Sequence, residues 1–113
     1  MKEYTDKTER GTVKSKVRTE MEDGCPTISI SHDVVESKEV TDPDVKEVMD
    51  EVADMDLSGF QFSEQAEAYR DGMQESYIFY GRDGVKTQLN YVLANVDEGS
   101  EQAKILKRCI AKV

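Results

Sequence analysis

Residues 12–35 read TVKSKVRTEMEDGCPTISISHDVV, and this stretch decides the fold. In its first half, valine, serine and threonine alternate with charged residues, which is the period of two expected for a strand with one face in the core. The turn residues Glu22-Asp23-Gly24 follow, and glycine tolerates the positive φ of a tight reversal. Ile28 and Ile30 then resume the alternation, with serines between them. The stretch therefore predicts a β-hairpin. Because a lone hairpin is marginal in water, this one must pack on helices or pair with another chain.

Helices are expected after the hairpin. Thr41-Asp42-Pro43 is a helix start, with a capping side chain before proline at the first helical position. The helix after it should end near residues 54–57, and its apolar residues share one stripe. That stripe comprises Val45, Val48, Met49, Val52 and Met55. Ser63 caps a second predicted helix, which we extend to about Tyr80. Gly72 within it costs about 1 kcal/mol relative to alanine, and residues 77–80 could equally form a strand.

Two further helices complete the predicted fold. Leu89, Val92, Leu93 and Val96 have the spacing of an amphipathic helix after a predicted turn at residues 81–84. Ser100 caps the last helix, whose C-terminal end is rich in lysine and arginine. We therefore predict an α+β fold in which an N-terminal β-hairpin packs on about four α-helices. Residues 12–113 form this single small domain, and residues 1–11 are expected to be a flexible lead-in.

The charge of the chain is concentrated in its middle third. The formal net charge is −9, and residues 33–71 alone carry 13 acidic and 3 basic side chains. Residues 1–32 are neutral, with six side chains of each sign. This distribution argues against direct nucleic-acid binding, which needs clustered lysine and arginine, and favours a partner protein with a basic surface. With no apolar run of membrane-spanning length and two cysteines, the chain is expected to be cytoplasmic and not membrane-bound.

The first predicted helix carries a row of carboxylates. Asp44, Glu47, Glu51 and Asp54 recur at spacings of three and four, and Asp50 and Asp56 lie nearby. Residues at these spacings are about 5–6 Å apart on one helix face, a repeat similar to that of charges along a nucleic-acid backbone. We predict that these six residues bind a basic protein surface. The alternative is that the row is simply the solvated face of the helix.

The junction after this helix resembles part of an EF-hand. Residues 54–59, DMDLSG, match the first half of the calcium loop, including glycine at its sixth position. In that family the twelfth position is a bidentate glutamate, whereas this chain has Gln65 there. The alternative interpretation is a capped junction between two helices, and no metal ligand or cofactor is assigned.

Thiol chemistry and the aromatic residues give two further hypotheses. Cys25 and His32 would form a catalytic pair only if the hairpin brought them together, and Cys109 is expected in the core. Residues 77–80, YIFY, cannot all be buried on one side of a helix, so at least one of them must face a partner, the hairpin or solvent. We predict that Ile78 and Phe79 contact a partner.

These patterns together favour a non-enzymatic interaction protein. Its size, its acidity and its lack of active-site motifs are typical of a small inhibitor or regulator from a phage or mobile element. Such a protein would dock its acidic helix on a nucleic-acid-handling protein. The first alternative is a structural or adaptor subunit that self-associates, for example as a homodimer. The second alternative is a degenerate EF-hand-like module that binds a cation.

Overall fold

A three-stranded antiparallel sheet begins the chain. The computed structural model describes residues 2–113, with strands β1 (Lys2–Thr8), β2 (Gly11–Glu22) and β3 (Cys25–Ser37) in the order β1-β2-β3. Asp23 and Gly24 form the reversal between β2 and β3 with φ values of 51° and 80°. Two consecutive positive φ angles are the requirement of a two-residue type I′ turn, which Asp-Gly satisfies. The predicted hairpin is therefore present.

Strand β1 lies where the sequence analysis expected a flexible lead-in. All seven of its residues pair with β2, from Lys2 opposite Val17 to Thr8 opposite Gly11. The strand is mostly exposed and polar, so it has no apolar alternation to mark it in the sequence. A two-residue turn at residues 9–10 joins it to β2, so the two strands form a second hairpin. The sheet consequently has one strand more than the predicted hairpin.

Five helices follow the sheet, one more than expected. They are α1 (Pro43–Ala53), α2 (Ser63–Asp71), α3 (Met73–Tyr80), α4 (Arg82–Ala94) and α5 (Glu101–Lys112). Two predicted caps are present, since Asp42 accepts from the backbone N–H groups of Asp44 and Val45, and Ser100 accepts from that of Ala103. The predicted cap at Ser63 is wrong, because Ser63 is the first residue of α2 and Phe62 precedes it without a side-chain capping hydrogen bond. The extra helix arises at Gly72, where φ of −80° and ψ of 0° divide the predicted helix 63–80 into α2 and α3. Residues 77–80 are helical.

Glycines allow α3 and α4 to pack closely. Gly81 ends α3 with φ of 70°, and α4 begins at the next residue, so the predicted turn at residues 81–84 is shorter than expected. Gly84 is in α4, where a Cβ atom would lie 2.2 Å from the carbonyl oxygen of Ser76. Only glycine allows this approach of the two backbones.

The helices enclose the main hydrophobic core. Val48, Val52, Leu89, Val92 and Leu106 are fully buried there. The described chain is thus a single compact α+β domain, as predicted. None of the helices within residues 2–113 combines the length and apolar character that a bilayer span requires.

Hydrogen bonds from the turn between β1 and β2 attach the sheet to the helices. The Arg10 guanidinium donates to the carbonyl oxygens of Tyr77 at 2.7 Å, Ile78 at 3.2 Å and Phe79 at 3.2 Å. Thr8 donates its hydroxyl to the carbonyl oxygen of Ile78 at 2.8 Å. A cation at a helix C-terminus satisfies carbonyl groups that have no partner within the helix. Arg10 therefore caps α3 while holding one end of the sheet against it.

Candidate protein-interaction surface

One face of the sheet carries most of its apolar side chains, although Lys2 and Asp6 of β1 share this face because they pair with Val17 and Val13. Because residues opposite each other in an antiparallel pair share a face, the pairings Val17 with Ile30 and Thr19 with Ile28 place these side chains together. Tyr4 joins them because it pairs with Ser15, which has the same parity on β2 as Val17. Near the helices this face is part of the packed interior, where Val13 is 0% and Ser15 is 7% exposed.

The helices cover only the part of this face nearest to them. Farther out, Met21 is 70%, Ile28 is 66%, Ile30 is 61% and Tyr4 is 51% exposed. We call these four residues together with Val17 the apolar shelf. A few hundred Å² of contiguous apolar surface is already about the largest patch on a typical soluble monomer, and such patches are often functional. Because four large apolar side chains are each more than half exposed on one face, the shelf has the character of a contact surface.

The opposite face of the same strands is mainly polar and charged. Lys14, Lys16, Arg18 and Glu20 alternate with the apolar residues of β2, and Arg18 lies 3.5 Å from Glu20. Strand β3 contributes serines to this polar face. The contrast between the two faces shows that the shelf is specific to the face from which the helices also rise.

A polar groove lies at the inner end of the shelf, between the sheet and helices α2 and α3. Its volume is about 640 Å³. His32 Nδ1 lies 2.7 Å from the hydroxyl oxygen of Ser15, and its ring contacts Phe79 edge-on with centroids 6.1 Å apart. Oε2 of Glu75 is buried without a hydrogen-bond partner among the described residues. Asp6 and Asp71 also line the groove, so its chemistry is mainly acidic.

The proposed thiol pair is not formed. Cys25 and His32 both lie on β3, and seven residues of strand separate them by about 23 Å. Cys109 is buried, as expected, and burial together with the nearby Glu51 carboxylate raises its pKa to about 11. Cys25 is exposed at the tip of the hairpin.

Three carboxylates of the acidic helix are paired with cations of the same chain. Glu47 accepts from Lys112 Nζ at 2.6 Å, and Glu51 forms an ion pair with Arg108. Asp44 lies 3.7 Å from Arg82. The hydrogen bond from Lys112, reinforced by its charge, lowers the pKa of Glu47, and the same contact raises the pKa of Lys112. Much of the predicted acidic stripe thus joins α1 to α4 and α5.

The remaining acidic residues differ in their surroundings. Asp50 and Asp54 are exposed and form no ion pair within the part of the chain that the structure describes. Asp56 accepts from the backbone N–H of Ser58 at 3.0 Å and from its hydroxyl at 2.6 Å. The Ser58 hydroxyl makes the larger contribution to lowering the Asp56 pKa. Asp56 thus closes a local turn, and no three potential metal-ligating side chains converge anywhere in residues 2–113.

The two predicted aromatic-region contacts have different outcomes. Ile78 is 0% exposed, because it packs between α3 and the sheet beside Gly11, so it is not free to contact a partner. Phe79 is half-buried against His32. Tyr80, at 72% exposed, is the residue of this segment that faces solvent.

The shelf could not be predicted from the sequence, although strands β2 and β3 could. The alternation around Ile28 and Ile30 predicts which face is apolar, but it carries no information on how far the helices reach along that face. No protein-family model matches the chain, and neither curated proteins nor solved structures give a match. The chemistry of the shelf itself is therefore the basis for a functional proposal.

Proposed function

We propose that the protein is a non-enzymatic, self-associating interaction subunit whose contact surface is the apolar shelf. The observation that carries this proposal is the exposure of Met21, Ile28, Ile30 and Tyr4 on the face of the sheet that is buried nearer the helices. The face that packs against the helices in one half of the sheet is open to water in the other half.

The energetic reason is the hydrophobic effect. Burial of an isoleucine or methionine side chain contributes about 1.5–3 kcal/mol relative to leaving it exposed. The outer parts of β2 and β3 are exposed on both faces in the isolated chain, and a strand pair with no packed face is marginal in water. Covering the shelf would therefore stabilise the sheet as well as the complex.

The charge distribution favours self-association through the sheet. Residues 1–32, which include β1 and β2, carry no net charge, whereas residues 33–71 carry −10. Two copies can therefore approach through their sheets with little repulsion, provided that their helical parts stay apart.

Substitutions on the two faces of β3 test the proposal. We expect the double variant Ile28→Thr/Ile30→Thr to weaken the dimer about a hundredfold or more, because four isoleucines are lost from the two shelves. Threonine keeps the β-branched shape that strands favour. The matched control is Ser29→Thr/Ser31→Thr, which changes neighbouring residues on the polar face and should leave association unchanged. Sedimentation velocity over a range of concentrations measures both, and equal dimerisation of the two variants would refute the proposal.

A second candidate function is the docking of the acidic surface on a basic protein, as for a phage or mobile-element regulator. Asp50 and Asp54 favour it, because their exposed carboxylates remain free of ion pairs within the described chain. Asp50→Asn/Asp54→Asn should then weaken capture of a basic partner without destabilising the fold. Unchanged capture, released at the same salt concentration, would count against this function.

A further inference from the structure

We infer that the shelf of one protomer packs face to face on the shelf of a second copy, inverted so that the helical parts lie at opposite ends of the dimer. This inference rests on the proposed function and names the geometry of the same surface. Its basis is the layer structure of the molecule.

The molecule has two layers at one end and one layer at the other. Its shortest dimension is 19 Å, which corresponds to a sheet and a helical layer about 10 Å apart. The shelf lacks the second layer, since the sheet there is exposed on both faces. A second sheet packed at about 10 Å would lie at the level of the helices and supply the missing layer.

The helices determine the relative direction of the two copies. They rise from the face that carries the shelf, since Val13 and Ser15 of that face are buried beneath α3. If two shelves were stacked in the same direction, the helices of both copies would occupy the same space. Inversion places each shelf beside the helices of the other copy and leaves room for both.

The charges agree with the inverted arrangement. The acidic helical parts, which include most of the −10 charge of residues 33–71, are separated by the length of the packed sheets. The charged side chain that strand pairing places beside the shelf is that of Lys2, opposite Val17, and its positive charge does not attract a basic partner. A second copy, which brings an apolar surface of the same size and shape, complements it better.

The sheet also has a second surface through which copies could pair. Charged residues occupy four of the seven positions of β1, and such charges protect an edge strand from pairing. Strand β3 has less of this protection, because only two of its 13 residues, Asp33 and Glu36, are charged. Edge-to-edge pairing of two β3 strands would leave both shelves exposed to water, and it is therefore the competing geometry for the experiment to exclude.

Distances between labels on Cys25 distinguish the geometries. Cys25 is exposed, whereas Cys109 is buried with a raised pKa, so a spin label attached to the full-length protein should modify Cys25 alone. We expect an intermolecular distance of about 25 Å from the strand rise and the sheet separation. About 10 Å would indicate stacking in the same direction, and about 35–40 Å would indicate β3 edge pairing. Either result would overturn the inverted geometry while leaving self-association intact.

The distance between the Cys25 labels depends on how far the two shelves overlap, so a second variant tests the geometry without relying on that distance. In Cys25→Ser/Ser31→Cys, the new thiol lies on the polar face near the middle of β3. Edge pairing would bring two such thiols close enough for rapid disulfide formation on mild oxidation, whereas shelf packing keeps them on opposite outer faces. We expect no cross-linked dimer. Rapid cross-linking would refute face-to-face packing, and a monomer at every concentration would instead refute the proposed function.

Discussion

Arg10 shows how one side chain can join two parts of the fold. Its side chain is 23% exposed, and the guanidinium donates to three carbonyl groups at the end of α3. Hydrogen bonds that involve a charged group contribute about 1.5–3 kcal/mol. We therefore expect Arg10→Ala to lower the free energy of unfolding by about 2 kcal/mol, measured by urea denaturation. Amide exchange should then increase in the sheet more than in α4 and α5, because the sheet loses its attachment.

Glu9 provides the matched control for Arg10. It lies 3.1 Å from the Arg10 guanidinium, but its side chain is 86% exposed, and exposed ion pairs contribute little to stability. Glu9→Ala should leave the unfolding curve almost unchanged. Equal effects of the two substitutions would show that capping of α3 by Arg10 is unimportant.

At the scale of the elements, the contact between α1 and α5 should make stability depend on pH. The pKa of Glu47 is lowered below 4.5 in the folded chain by Lys112. The stabilisation is therefore present above about pH 4.5 and is lost as the pH falls through the folded pKa. We expect the unfolding free energy of the wild type to fall more steeply than that of Glu47→Gln between about pH 5 and 3. Identical pH profiles would contradict this contact.

A charge swap distinguishes the role of Glu47 in stability from its predicted role in partner binding. Glu47→Lys alone places two cations together, whereas Glu47→Lys/Lys112→Glu restores an ion pair and the wild-type net charge. We expect the swap to recover most of the thermal stability that the single variant loses. No recovery would show that Glu47 and Lys112 do not interact. If a partner protein binds the carboxylate of Glu47, its affinity for the swapped variant should be lower than for the wild type, even when the stability of the variant is restored.

Local signals predicted most of the elements, whereas strand β1 and the ion pairs of α1 could not be predicted, for two different reasons. Asp23-Gly24 and Asp42-Pro43 specify a turn and a helix start through their own backbone chemistry, so both could be recognised. Strand β1 is stabilised by pairing with β2, and its polar residues carry no pattern of their own. The partner of Glu47 is far away in the chain, at Lys112. The acidic stripe could therefore be predicted from the sequence, but its ion pairs with α4 and α5 could not.

At the scale of the whole molecule, the proposed self-association rests on the apolar shelf. The alternation of β2 and β3 predicted that Val17, Met21, Ile28 and Ile30 lie on the apolar faces of their strands, but it did not predict Tyr4. The exposure of the shelf depends on where α3 crosses the sheet. That position is set by Arg10, Thr8 and the packing of Ile78. A second layer over the shelf would complete the two-layer architecture that compact domains adopt.

Sedimentation velocity of the wild-type protein at about 0.15 M and 1 M salt tests the central claim most directly. Salt screens charge interactions but does not weaken the burial of apolar surface. We predict a species of twice the chain mass that persists or becomes more abundant at the higher salt concentration. A monomer at all concentrations, or a dimer that dissociates in high salt, would contradict self-association through the apolar shelf.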